Sequence, residues 1–377
     1  MEPIPFNHST LAGKELDYIT RSVSRGQIAG DQQFSRKCQT LLEEVLEVPK
    51  ALVTTSCTHA LEMAAILLRI QPGDEVIVPS FTFVSTINAF VLHGAIPVFC
   101  DVREDTLNLD ERQLETLITS RTRAIVPVHY AGVSCEMDSI LAIASRHGVA
   151  VVEDNAHGLF GRYRDRWLGT MGDIRTRSFH ETKNITCGEG GAILLNRRDL
   201  IERAEIIREK GTDRARFFRG MIDMYGWVDV GSSYVISDVL AAFLFGQLEC
   251  WREIQQKRCQ LWQNYDRELR TWAQLHGVLQ PHVPAECSQA WHMYHLRCPT
   301  LEFRTRLIDF LRNQGITAVF HYLPLHSSSF VISQWGQRYH CPVTEAASQQ
   351  ILRLPFYSDM QNSQFERVVE AMHRFPG

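Results

Sequence analysis

The chain has 377 residues, 43 acidic against 39 basic, and a formal net charge of −4. That length suits a large core with a second, smaller lobe, and mild acidity without a long basic run argues against nucleic acid as the main partner and for a small molecule. Ten singly scattered cysteines without a C-x-x-C pair suggest neither a metal site nor a disulfide framework, and no basic-then-apolar leader or bilayer-length apolar stretch is seen, so a cytoplasmic protein is expected.

Leu16, Ile19 and Val23 recur at helical spacing, and a second helix should place Phe34, Cys38, Leu41, Leu42 and Val45 on one face. The pattern then changes. Short apolar runs at 51–53, 76–78, 96–99, 124–126 and 149–152 alternate with helical stretches at 58–69, 83–93, 110–118 and 137–147. Such alternation predicts βαβ units and a mostly parallel sheet covered on both faces, with ligands beyond the carboxyl ends of its strands. A further strand at 193–195 precedes helices at about 198–210 and from Ser237 to roughly 270. We expect a large α/β/α domain over 1–250 and a small α+β domain over 251–377, the latter built from 292–297, a helix at 302–314, 317–320 and a last helix at 363–374.

Lys183 lies in Ser178-Phe179-His180-Glu181-Thr182-Lys183-Asn184, ahead of the glycine turn Cys187-Gly188-Glu189-Gly190-Gly191. A lone lysine beside a turn is usually just a surface residue; here the company changes that. Asp154 should project from the carboxyl end of a buried strand, where it could cap a turn or face a ligand. Thr54-Thr55-Ser56-Cys57-Thr58 leaves a strand and opens a helix, a place for capping hydroxyls and equally for a phosphate. Ser178 could add a hydroxyl there, and His157 could meet a ring hydroxyl or sit in a loop. Phe81 and Phe83 follow another strand and could pack in the core or on a ring. A lysine amine for a Schiff base, a carboxylate for a pyridine nitrogen and a phosphate cup are the parts of a pyridoxal 5′-phosphate site. Farther on, Arg214, Arg216, Phe217, Phe218, Arg219, Tyr225 and Trp227 interleave cations with aromatics, which suits a nucleoside diphosphate and equally a solvated helix end or a subunit contact.

These pieces resemble, in order and surroundings, the sugar-nucleotide aminotransferases, fold-type-I pyridoxal-phosphate enzymes that act on nucleotide-linked keto sugars. The resemblance spans nearly the whole chain, through 55–58, 79–86, 126–132, 178–184, 208–212, 217–220, 231–234 and 319–326. It implies Lys183 as the Schiff-base lysine, Asp154 as partner of the pyridine nitrogen, His157 beside the ring hydroxyl and Phe83 stacked on the ring. Ser56, Cys57, Thr58 and Ser178 fall where the family holds the phosphate, with Cys57 standing where most members have glycine. Ser233 lies in the segment that reaches a neighbouring subunit's site, where many members carry asparagine. Arg175-Thr176-Arg177 replaces the small and apolar residues usual before the serine. The resemblance further implies His321, Tyr322 and His326 near the sugar, while Arg214, Arg219, Tyr225 and Trp227 are candidates for the nucleotide from their interleaved cations and aromatics alone. It implies L-glutamate as amino donor, C4 of a dTDP-linked 4-keto-6-deoxy sugar as acceptor, and a homodimer with shared sites. Related sugar dehydratases carry histidine in place of the lysine, so Lys183 favours transamination.

Overall fold

The structure is a computed structural model and describes residues 2–377. The apolar runs of the first half form β1 (Lys50–Thr54), β2 (Glu75–Pro79), β3 (Ile96–Cys100), β4 (Thr122–Ile125) and β5 (Ala150–Asp154). After the short β6 (Arg162–Tyr163) and β7 (Arg166–Trp167), the chain returns to the same sheet as β8 (Ile174–Ser178) and β9 (Gly191–Leu195). The seven strands lie in the order β1-β9-β8-β5-β4-β2-β3. Pairing is parallel from β8 to β3 and antiparallel on both sides of β9.

Helices α1 (Glu15–Ser24), α2 (Gln33–Leu46), α3 (Cys57–Leu67), α4 (Ser85–Val91), α5 (Leu114–Leu117), α6 (Met137–His147), α7 (Ile201–Arg208) and α8 (Arg214–Phe218) belong to this half. Alternating strand residues bury both faces of the sheet. Val76 and Val78 join α3 and α4 in one core, while Ile77 faces α6 in another. This is the α/β/α arrangement expected of a fold-type-I enzyme.

Three details depart from the sequence reading. In α1 only part of the expected face turns inward: Leu16 and Val23 are exposed, Ile19 packs half-buried against the core, and Tyr18, Ser22 and Glu15 are buried. Glu15 turns inward because its carboxylate accepts from the Ala12 and Gly13 N–H groups and from Gln247. The helix expected from Ser237 to about 270 is two helices, α9 (Asp238–Glu249) and α10 (Trp251–Leu275), separated at Cys250. Finally, β8 is a buried strand although its sequence is Ile-Arg-Thr-Arg-Ser.

Beyond α10, β10 (Cys287–Ser288) pairs with β6. The strands β11 (His295–Arg297), β12 (Val319–Phe320) and β13 (Ile351–Arg353) form an antiparallel sheet in the order β11-β13-β12. They share a core with α10, α11 (Leu301–Asn313) and α14 (Asn362–Arg374), among them Leu261, Tyr265, Leu296, Leu307, Leu352 and Val368. Two further helices, α12 (Ser329–Trp335) and α13 (Pro342–Gln350), complete this α+β lobe. No helix among the described residues is long and apolar enough to cross a membrane.

Candidate active site

A cavity of about 590 Å³ opens at the carboxyl ends of the central strands and is closed from above by the small lobe. Its size suits a cofactor and a small substrate. Ser56, Cys57, Thr58, Phe83, Asp154, His157, Ser178, Lys183, His321 and Tyr322 all line it.

Lys183 is held by a cross-braced loop. Phe179 N–H donates to the Gly190 carbonyl, Cys187 N–H to the Phe179 carbonyl and Lys183 N–H to the His180 carbonyl, at 2.8, 2.9 and 2.9 Å. The next residue ties the loop to the small lobe: Asn184 Nδ2 donates to the Ala290 carbonyl (2.5 Å), and its Oδ1 pairs with His292 Nδ1 (2.9 Å). Burial lowers the Lys183 amine to about 8, opposed in part by Cys57 and Asp154. An amine in that range is available to react near neutral pH.

Asp154 ends β5 and is buried. Its Oδ2 accepts from Thr86 Oγ1 at 2.8 Å and its Oδ1 from the Ala156 N–H at 3.1 Å. Burial nevertheless raises its carboxyl above the usual range, as expected of a carboxylate without a cation in contact. A protonated pyridine nitrogen would supply that cation.

The cup at the start of α3 both caps and cradles. Ser56 Oγ accepts from the His59 N–H at 3.0 Å, and Thr58 Oγ1 donates to Ser85 Oγ at 2.9 Å. The helix start leaves first-turn N–H groups for an anion. Gly191 is required beside it: a Cβ there would lie 2.3 Å from the Ser56 carbonyl carbon and 2.4 Å from the Cys57 nitrogen. Cys57 packs against this cup, and burial pushes its thiol up to about 12, so it stays protonated.

On the opposite wall His157 stacks on His292 with ring centroids 4.2 Å apart and planes 17° apart, and His321 stacks on Tyr322 at 3.6 Å. Burial pushes His157, His292 and His321 well below the usual histidine range, so all three are neutral. His157 Nδ1 is buried without a partner, an unmet polar atom in a wall that a ring hydroxyl would satisfy. Phe83 faces the cavity, whereas Phe81 is buried edge-on to Tyr130. Lysine, carboxylate, anion cup and unmet imidazole together fit pyridoxal phosphate.

The arginines of β8 stand behind this site. Glu153 faces away from the cavity and accepts from His129 Nε2 (2.9 Å) and from the N–H groups of Gly169 (2.9 Å), Met171 (2.7 Å) and Gly172 (2.5 Å). Burial raises its carboxyl, but His129 and these donors outweigh that and hold it at about 2. Arg177 Nη2 donates to the Leu168 and Gly169 carbonyls at 2.5 and 2.9 Å, and Arg175 Nη2 to the Thr170 carbonyl at 3.1 Å. Glu153 and the two arginines thus clamp loop 168–172 against the strands that carry Asp154 and Ser178.

Other predicted site residues lie elsewhere. His326 is buried but outside the cavity, bonded to Ser80 Oγ (2.6 Å) and Glu345 (3.1 Å). Arg214 pairs with Glu209 at 3.2 Å, Arg219 with Glu205 at 2.5 Å, and Tyr225 and Trp227 stand in solvent, Trp227 82% exposed. Ser233 is exposed as well. None of these five lines the cavity of its own chain.

The cavity also holds residues the sequence did not single out: Thr86, His292, Met293, Phe6, Phe356 and Arg353. The one available signal was Arg353 itself, a cation inside the apolar run Ile351-Leu352-Arg353-Leu354.

Comparison with known proteins places the chain in a family. Residues 10–373 match the model of the DegT/DnrJ/EryC1/StrS aminotransferase family. The spore coat polysaccharide biosynthesis protein SpsC of Bacillus subtilis is 31% identical over 380 residues, covering 98% of this chain and 96% of SpsC. Among solved structures, the aminotransferase TlmJ from Streptoalloteichus hindustanus superposes with a TM-score of 0.90 at 28% identity, covering 98% of both chains. DesV of S. venezuelae gives 0.88 at 30% identity, again over 98% of each. The chain therefore belongs to the DegT/DnrJ/EryC1/StrS aminotransferase family and is a pyridoxal-phosphate-dependent aminotransferase.

Proposed function

We propose that the protein moves an amino group from L-glutamate to C4 of dTDP-4-keto-6-deoxy-D-glucose, giving dTDP-4-amino-4,6-dideoxy-D-galactose for a cell-surface polysaccharide such as enterobacterial common antigen. The observation that carries amino transfer is Lys183, a half-buried amine with its pKa brought down to about 8, in one cavity with the buried Asp154. When bound, pyridoxal phosphate supplies an electron-accepting ring and carries the amino group between donor and acceptor.

The chain's own residues then divide the work. Lys183 Nζ takes the proton from the donor's α-carbon and, in the second half, delivers one to sugar C4, so the face it presents fixes the configuration there. Asp154 would keep the pyridine nitrogen of the bound cofactor protonated; Ser56, Cys57, Thr58 and Ser178 would hold its phosphate, Phe83 would pack on its ring and His157 would meet its hydroxyl. A neutral His157 adds no second cation beside the lysine. His321 and Tyr322, next to each other on the small-lobe wall, are the groups for the sugar. His326 acts indirectly, by fixing Ser80 at the end of the segment that carries Phe83.

The substrate assignment rests on sequence resemblance to dTDP-4-amino-4,6-dideoxygalactose transaminase through 55–58, 79–86, 126–132, 178–184, 208–212, 217–220, 231–234 and 319–326 taken together. The name of SpsC, a polysaccharide biosynthesis protein, supports the same direction. Arg214, Arg219, Tyr225, Trp227 and Ser233, which do not reach the cavity of their own chain, serve that of a second copy in a homodimer. Incubating the holoenzyme with L-glutamate and dTDP-4-keto-6-deoxy-D-glucose and assigning C4 of the product by NMR tests this. The galacto amine is expected; the gluco epimer would overturn the stereochemical assignment, and absence of an aminated sugar the substrate.

A further inference from the structure

Two hydroxyls stand in series behind Asp154. Thr86 Oγ1 lies 2.8 Å from Asp154 Oδ2 and 2.8 Å from Thr82 Oγ1. An ionised carboxylate only accepts, so the single Thr86 proton is committed to Asp154, and Thr82 must then be the donor to Thr86. Thr82 and Thr86 are 2% and 1% exposed, and both line the cavity with Asp154. Thr86 is the second residue of α4, where a threonine hydroxyl ordinarily bonds the backbone of its own turn. Here it reaches instead to a strand 68 residues away in sequence. Phe83 lies between the two threonines, so one turn delivers both the exposed ring and the paired hydroxyls.

What this chain of donors can decide is the place of one proton. Where Asp154 meets the pyridine nitrogen, the proton can rest on the nitrogen opposite a carboxylate, or cross to an Asp154 oxygen and leave both groups neutral. Nothing else is gained or lost in that exchange, yet only the first arrangement makes the ring a strong electron acceptor. Burial favours the second, because it penalises charge on both partners. It is the largest influence on the Asp154 carboxyl, which it raises, and the hydrogen bond from Thr86 is the largest that opposes it. A donor binds the anion more strongly than the neutral acid, and a hydroxyl that itself accepts a hydrogen bond is a better donor. The Ala156 N–H, 3.1 Å from Oδ1, works in the same sense on the other oxygen.

We propose that Thr82 and Thr86 form a hydroxyl relay that holds Asp154 as the anion and so keeps the proton on the ring nitrogen of the bound cofactor. Both are positioning residues, acting through Asp154. The relay rests on the reading of Asp154 as the partner of that nitrogen.

The test is nitrogen-15 NMR of holoenzyme loaded with cofactor labelled at the ring nitrogen, at neutral pH, with Asp154→Asn as the reference for a ring without its acid. The parent should show the protonated position. Thr86→Val, which keeps the branched shape and loses the donor, should move the signal toward that of Asp154→Asn, through a change of about 10- to 100-fold in the distribution of the proton. Thr86→Ser should restore the parental signal. Thr82→Val should move it in the same direction through a change of only about threefold, and it decides the matter if the Thr86 valine variant does not fold. Rapid mixing with L-glutamate gives a second readout: in Thr86→Val the absorbance change at saturation should slow about 10-fold or more, while the half-saturating concentration changes by less than about threefold. A signal shifted by Asp154→Asn but unmoved by Thr86→Val, or a serine variant that behaves like the valine one, would overturn the relay alone. A signal that Asp154→Asn leaves unmoved would overturn the placement of Asp154 on the nitrogen, and the relay with it.

Discussion

The cavity around Lys183 and the segment from Arg214 to Val230 use the same residue types, cations beside aromatics, in opposite states. In the cavity they are enclosed: Lys183 has its pKa brought down by burial, and the rings of His157, His292, His321 and Tyr322 lie on one another. Along 214–230 they are open. Phe218, Met221, Met224, Tyr225 and Trp227 face solvent, Met224 at 84% exposure, and the arginines are paired with Glu202, Glu205 and Glu209 of the same chain. The difference teaches which part of the activity one chain assembles alone. The groups proposed for proton transfer and cofactor binding share one cavity within the chain, whereas the aromatics of 214–230 pack only on one another and on Arg214 and leave apolar area exposed.

The largest effect expected is on the enclosed side. Lys183→Ala should reduce turnover by about 10⁴-fold or more and abolish the cofactor's lysine-bound absorbance. The fold should survive, since a half-buried amine whose pKa is depressed contributes nothing to stability at neutral pH; a melting temperature equal to or above that of the parent is expected. A variant that stays active removes the contrast between the two regions altogether.

On the open side a smaller and more selective effect is predicted. Trp227→Ala should raise KM for the sugar nucleotide about 10-fold and leave that for glutamate unchanged. Arg219→Ala should act in the same sense but less strongly, because its guanidinium is partly engaged by Glu205. Equal shifts for both substrates would mean that this surface has no special tie to the nucleotide.

The smallest predicted effect is a pH dependence of stability confined to the enclosed side. Burial lowers His157, His292 and His321 well below their ordinary value and His295 to about 4. The unfolded chain therefore takes up protons first as pH falls below about 6.5, and stability present above that pH is lost progressively toward 4. Thermal unfolding should shift down by several degrees between pH 7 and pH 5, and by less in His295→Asn. Segment 214–230 has no histidine and should contribute nothing to this slope. A flat profile would show that the histidine wall is more hydrated than the structure indicates.

Much of the fold was legible in the sequence because its strands are buried on both faces and read as short apolar runs, as in Val76-Ile77-Val78. β8 was not, because Arg175 and Arg177 interrupt the pattern. Their partners, Glu153 on the neighbouring strand and the carbonyls of 168–170, come together only in the folded sheet. The outward turn of Leu16 and Val23 likewise depends on Glu15 finding donors outside its helix. In the cavity, the residues next to cofactor motifs could be picked out from those motifs. Arg353 offered only its charge inside an apolar run and His292 offered nothing, since no local spacing links either to Lys183.

The most direct test of the account is the visible absorption of the holoenzyme. Adding L-glutamate should remove the band of the lysine-bound cofactor, and adding dTDP-4-keto-6-deoxy-D-glucose should then restore it. A spectrum unchanged by glutamate, or one that the keto sugar does not restore, would contradict the assignment of Lys183 and its cavity to amino transfer between these two substrates.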